Sequence, residues 1–251
     1  MKIKLINPNT TESMTDKMVR AARLIASAET IIDPATPTTG PASIESHFDE
    51  AISVIGVLEQ IQKGDTEGTD AYIIACFGDP GLQAARELTS APVIGIAEAA
   101  FHFATLISTR FSVVTTLGRT CIIAEHLLHQ YGFAGHCRKV RAAEIPVLEL
   151  ENENGTLALE RITAECLRAR DEDAIGAIVL GCGGMADLTE IISSTVGLPV
   201  IEGVSAAVKM AEGLVSLGLS TSKIGDLAYP RPKILKGELN RFSFTECPPG
   251  Q

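Results

Sequence analysis

Tyr72-Ile73-Ile74-Ala75-Cys76-Phe77-Gly78-Asp79-Pro80-Gly81 and Ala177-Ile178-Val179-Leu180-Gly181-Cys182-Gly183-Gly184-Met185 have the same layout. In each, an apolar run opens through a cysteine into a glycine-rich turn. Each is followed at nearly the same distance by a Pro-Val-Ile run, Pro92-Val93-Ile94 and Pro199-Val200-Ile201. The likeness continues beyond them, from Ala91-Pro92-Val93-Ile94-Gly95-Ile96 to Leu198-Pro199-Val200-Ile201-Glu202-Gly203. Ile6-Asn7-Pro8-Asn9-Thr10 and Val114-Thr115-Thr116-Leu117-Gly118 end strands about one repeat apart. The pattern is that of an internal duplication.

Working outward, short β-rich runs alternate with longer helical ones. Strands are predicted at 3–7, 29–33, 72–76, 93–96, 111–115, 138–143, 177–180 and 200–201. Helices are predicted at 11–26, 43–63, 80–89, 97–108, 120–131, 156–172, 185–194 and 205–217. Alternation of this kind predicts an α/β protein with parallel sheets. Unbroken apolar residues within the strands suit sheets covered on both faces. The expected architecture is two similar lobes, each a parallel sheet flanked by helices, with the active site in the cleft between them. The first lobe takes 1–97 plus 206–251 and the second 98–205, and the tail 247–251 is expected to be loose. Ligands of open parallel sheets bind beyond the carboxyl ends of the strands. The loops 7–10, 76–79, 115–118 and 181–184 lie at such ends, two from each lobe.

The chain has 251 residues, 45% of them hydrophobic, which suffices for a full core without disulfide staples. Its six cysteines lack framework spacing and a Cys-x-x-Cys pair, so reduced thiols are expected and zinc lacks its usual signature. A formal charge of −10 with no basic stripe argues against nucleic acid. No apolar run is long enough to cross a membrane, and the start of the chain does not read as a signal peptide, so a cytoplasmic location is expected.

Thiols suit proton transfer at carbon. Cys76 and Cys182 both precede expected helix starts, where backbone amides and the helix dipole lower a thiol pKa. Two facing thiols could take a proton from one face of a carbon beside a carbonyl and return one to the other face. Two other classes stay open on the residues alone. One is an isomerase or decarboxylase on the same fold with a single working cysteine. The other is a non-catalytic lobe pair that binds a small ligand, which would have no need of paired thiols.

Ile6–Thr10, Cys76–Gly81 and Leu180–Met185 together resemble the Asp/Glu/hydantoin racemase superfamily, in its hydantoin racemase branch, and the resemblance runs along nearly the whole chain. Within that branch, Ser43–Glu50 and His126–Phe133 look most like racemases of allantoin, an intermediate of purine breakdown; other 5-substituted hydantoins are the alternative substrates. The resemblance implies a cofactor-independent, metal-free isomerase that acts on a small molecule and assembles as a homo-oligomer. It places Cys76 and Cys182 on the two catalytic cysteines, Asn9 on the polar position after the first strand and Thr116 on the threonine of the third loop. Gly78 stands where amino-acid racemases carry a threonine. Gly183-Gly184 replaces the Thr-His that follows the second cysteine in glutamate racemases. That departure disfavours a free amino acid and favours a flat ring held by backbone amides. The expected substrate contacts are Asn9, Ser43, Phe77, Gly78, Thr115, Thr116, Gly183 and Gly184.

The remaining polar residues take plainer readings. Asp79-Pro80 looks like an N-cap followed by proline at the first helical position. Glu98 and Glu202 follow strands near the cleft and are weaker site candidates. His126, His129, His136 and Cys137 faintly suggest a metal site, against which surface or packing roles are preferred. His102, Cys121 and Cys166 read as core residues, Cys137 and Cys247 as loop or tail thiols, and Asp171-Glu172-Asp173 as solvated surface.

Overall fold

The computed structural model describes residues 1–151 and 156–244; the expectations for Cys247 and the 247–251 tail lie outside them. Its first half runs β1 (Lys2–Ile6), α1 (Glu12–Ile25), β2 (Ile31–Ala35), α2 (His47–Thr66), β3 (Ala71–Ile74), α3 (Leu82–Leu88), β4 (Val93–Gly95) and α4 (Ile96–Ile107). Its second half repeats this with β5 (Phe111–Thr115), α5 (Gly118–Gln130), β6 (Cys137–Ala142), α6 (Thr156–Glu172), β7 (Ala177–Leu180), α7 (Thr189–Val196), β8 (Val200–Glu202) and α8 (Gly203–Ser216). The two parallel sheets have matching strand orders, β2-β1-β3-β4 and β6-β5-β7-β8. All eight predicted strands are present, and the two-lobe α/β architecture is the one expected from the duplication.

The central strands β3, β5 and β7 are buried along their whole length. Burial on both faces is why they read as continuous apolar runs. In each sheet the chain steps from the first strand outward and then returns to its other side, so the switch points fall between β1 and β3 and between β5 and β7. Ile6 pairs with Ile74, and Val114 with Leu180. The loops that begin with Asn7, Ala75, Thr115 and Gly181 therefore leave from these two switch points, where open α/β sheets bind ligands.

The lobes are joined by exchanged helices. α4 follows the first sheet, yet Ala97, Ala100, Phe101 and Ala104 pack with Phe111, Val113 and Val179 of the second. α8 follows the second sheet, yet Val204, Ala207, Val208 and Ala211 pack with Ile3, Leu5 and Ile73 of the first. The two helices cross at their starts, where a side chain on Gly203 would run into the Ile96 carbonyl. Beyond α8 the chain returns to the first sheet's flank, where the Thr221 amide donates to the Ser90 carbonyl over 2.8 Å. No helix among the described residues is long and apolar enough to cross a membrane.

Several local expectations need correction. The helix expected from 43 begins at His47, because the Ser46 hydroxyl accepts from the Asp49 amide at 3.2 Å and caps it there. The helix expected from 185 is preceded by a single 3-10 turn, Gly183–Met185, and starts only at Thr189. Cys137 opens strand β6 rather than lying in a loop. Cys121 is only partly buried. Asp173 is buried rather than solvated, because Arg141 of β6 reaches its two oxygens at 2.6 and 2.8 Å. His102 is exposed, set edge-on to Phe133 with ring centroids 4.8 Å apart.

Candidate active site

One cavity lies where the two switch points face each other. Its empty volume, open mouth included, is about 630 Å³. Asn7 and Asn9 come from the loop after β1, Cys76, Phe77 and Gly78 from that after β3, Thr115 and Thr116 from β5 and its end, and Gly181 to Gly184 from that after β7. Met14 and Met18 of α1, Ile44, Ile123 of α5 and Val147 add apolar walls. Both thiols line this space. Each follows its strand after one small residue, Ala75 or Gly181, so the duplication places them at equivalent points of facing sheets.

Burial pushes both thiols up, Cys182 to about 11, against the pull of the Gly184 amide and of Lys17. Cys76 is raised as well; the Gly78 amide pulls it down, while Cys182, Asp79 and Glu50 push it further up. Neither thiol stands at the N-terminus of an α-helix. Cys76 lies well before α3, and Cys182 precedes a 3-10 turn of three residues. What each sulfur has is one local amide.

The glycines of the second loop are packed rather than open. A Cβ on Gly183 would stand 2.7 Å from Met18 Sδ and 2.8 Å from the Ala75 carbonyl oxygen. One on Gly184 would stand 3.0 Å from Leu150 Cδ1 and 3.3 Å from Met14 Cε. The two glycines thus let α1 and the end of β3 close directly onto the Cys182 turn. Gly78 is different, since its nearest neighbour would be Glu50 Oε1 at 3.6 Å.

The polar groups are held in fixed orientations. Asn9 Oδ1 accepts from Asn7 Nδ2 at 2.8 Å and from the Thr11 amide at 2.9 Å. That turns the Asn9 amide nitrogen inward, where it meets Met14 Sδ at 3.6 Å. Thr115 donates to the Gly181 carbonyl at 3.0 Å and joins the second sheet's two central loops. Thr116 is buried beside it at the cavity wall.

Of the residues expected to touch substrate, Asn9, Phe77, Gly78, Thr115, Thr116, Gly183 and Gly184 line the cavity, and Ser43 does not. The cap at Ser46 starts α2 at His47, and in the segment before it Ile44, not Ser43, lines the cavity. Asp79 does act as an N-cap, but of α4 through the Ala97 and Glu98 amides, so Pro80 is not at a first helical position. Glu98 lies outside the cavity, paired with Arg86. Glu202 lies outside it too, capping α8 through the amides of Val204 and Ser205 at 2.7 and 2.6 Å. His126 is exposed and stacks on His47 with ring centroids 6.3 Å apart. Among the described residues no group of three His, Cys, Asp or Glu side chains gathers as a metal site.

Other residues of the site carried no sequence motif. Glu50 enters the cavity from the first turn of α2. Glu45 accepts the Val147 amide at 2.6 Å, and Lys17 donates to the Leu150 carbonyl at 2.7 Å while pairing with Glu151 at 3.0 Å. These contacts clasp the 147–151 turn over Cys182. The acidic 45–50 run was the available signal, but an acidic run with a helical continuation reads as a solvated face.

The chain resembles known proteins over almost its full length. The family description Asp/Glu/Hydantoin racemase matches residues 3–211. A hydantoin racemase of Rhizobium meliloti is 51% identical, over 94% of this chain and 98% of its own. The solved structure of an allantoin racemase from Klebsiella pneumoniae is 57% identical, with a TM-score of 0.95 over 97% of this chain and 99% of its own. That of an allantoin racemase from Pseudomonas fluorescens is 43% identical, with a TM-score of 0.91 over 94% of this chain and 100% of its own. With the duplicated sheets, the exchanged helices and the paired cysteine loops in place, the chain belongs to the Asp/Glu/hydantoin racemase family.

Proposed function

We propose that this protein racemises allantoin, with Cys76 and Cys182 as the two proton carriers. The observation that carries the reading is that the two thiols reach one cavity from equivalent positions of facing sheets. The thiolate of one cysteine takes the proton from the ring stereocentre and becomes a thiol. The electron pair of the broken C–H bond moves into the adjacent carbonyl as an enolate. The opposing thiol gives its proton to the other face and is left as the thiolate. Exchange with solvent resets the pair, and no electrons leave the substrate. The Asn9 side-chain amide supplies a donor for a ring oxygen, where charge develops, while the Gly78 and Gly184 amides serve the two sulfurs. The cavity lining holds no lysine or arginine, which suits a neutral imide better than the carboxylate of a free amino acid.

A second reading, racemisation of 5-alkyl hydantoins, draws on the apolar wall of Met14, Met18, Ile44, Ile123 and Val147. Polarimetry on enantiopure allantoin tests the main reading. Rotation should decay to zero with no change in mass. Cys76→Ser and Cys182→Ser should each lower the rate by about 10²–10⁴-fold or more, the contribution of a positioned acid–base group. Stable rotation, a change in mass, or full activity in either variant would overturn it.

A further inference from the structure

We propose that Glu50 contacts the substrate and selects for hydrogen-bond donors on the ring's 5-substituent, favouring a carbamoylamino group over an alkyl one. The inference rests on the cyclic-ureide reading above and refines it. Thiols aside, Glu50 is the one titratable side chain among the residues lining the cavity. Its carboxyl stands against Gly78, where the missing side chain leaves it room, with Oε1 3.6 Å from the position a Cβ would take. Its nearest ionisable neighbour is the exposed His47, whose Nδ1 is 3.6 Å from Oε2, long for a hydrogen bond. No donor among the described residues reaches either oxygen within hydrogen-bonding range.

A carboxylate only accepts hydrogen bonds, and a half-buried one without donors is costly. Elsewhere the lining offers one side-chain donor, the Asn9 amide, and apolar surface from Met14 and Met18. What is unmatched is an acceptor at the Gly78 side. A carbamoylamino substituent brings N–H and NH₂ donors; an alkyl substituent brings none and would strip water from the carboxyl. Burial pushes the Glu50 carboxyl up from its ordinary range, against the pull of His47 and His126 on the outer side.

The test compares kcat/KM for allantoin and 5-isopropylhydantoin in the wild type, Glu50→Gln and Glu50→Leu. Where one ring is not turned over, its inhibition constant against the other takes the place of kcat/KM. Glu50→Leu should lower the preference for allantoin by about 10- to 100-fold, the range for a hydrogen bond to a charged group. The isopropyl compound should be unaffected or improved, and Glu50→Gln should fall between, because its carbonyl keeps one acceptor. An unchanged preference, or parallel loss on both rings, would overturn the role of Glu50 alone. Failure of the wild type on both rings would overturn the cyclic-ureide reading itself, and this inference with it.

Discussion

The Tyr131 hydroxyl donates to Asp79 Oδ2 across 3.0 Å, and the same carboxyl accepts the Ala97 and Glu98 amides, each at 3.0 Å. One buried group therefore ties the turn after Cys76 to the start of α4 and to the end of α5, which belongs to the second sheet. Asp79 adopts a left-handed backbone with φ 45 to reach this position, a conformation that a non-glycine residue keeps only when its surroundings enforce it. Gly95 completes the arrangement, since a side chain there would collide with the Asp79 carboxyl.

Tyr131→Phe should destabilise the protein by about 1–3 kcal/mol at neutral pH, the cost of taking a donor from a buried carboxylate. Burial pushes Asp79 from the ordinary 3.8 up to about 7, against the two amides and Tyr131. The folded state thus holds a proton between pH 3.8 and 7 that the unfolded chain releases, so this group's contribution to stability falls as pH rises through that window. Loss of Tyr131 harms the charged form most, so the fall should steepen. Urea midpoints at pH 5 and pH 7.5 check this; an equal loss at both would contradict it.

Gly183→Ala should damage the site and Gly78→Ala should not disturb the fold. At Gly183 the new methyl would meet the Ala75 carbonyl at 2.8 Å, and backbone cannot swing aside as the Met18 end can. Overpacking of this kind costs about 1–3 kcal/mol and would displace the Cys182 turn. At Gly78 the nearest atoms are at ordinary contact distance. Thermal melts should separate the two variants, and equal melting temperatures would argue against the packing described for the second loop.

Iodoacetamide should alkylate Cys182 before Cys76, because burial raises both thiols but Lys17 offsets part of the rise at Cys182, against Glu151 and Glu45. Cys76 has only Cys182, Asp79 and Glu50 as titratable neighbours and no cation among the described residues. The rate should climb with pH toward about 11, the value to which burial pushes Cys182. Lys17→Met should slow labelling of Cys182 selectively. Peptide mapping after brief labelling reads the order, and allantoin should protect both. Preferential labelling of Cys76 would contradict this ordering of the thiols.

The fold was legible because strands buried on both faces are written as apolar runs, and because the duplication was written twice. Tyr72–Cys76 and Ala177–Leu180 could hardly be read otherwise. The cysteine loops were legible for the same reason. What stayed hidden was set by long-range contacts. Nothing local says that Asp79 caps a helix beginning at Ile96, or that Asp173 at the end of an acidic run meets Arg141. Ser43 was expected at the site only through the resemblance of Ser43–Glu50, and the neighbouring Ile44 and Glu50 line the cavity instead. The raised thiol pKa values were missed because a motif shows a helix start but not how dry its surroundings are.

The most direct test of proton transfer between two thiols is the deuterium content at the stereocentre during early turnover of one allantoin enantiomer in D₂O, resolved by enantiomer. A proton taken by one cysteine and replaced from the other should leave deuterium in nearly all of the newly formed enantiomer, while the remaining starting enantiomer gains it more slowly. Product that keeps its original hydrogen would mean that a single base returns the same proton to either face, and would contradict the roles given to Cys76 and Cys182.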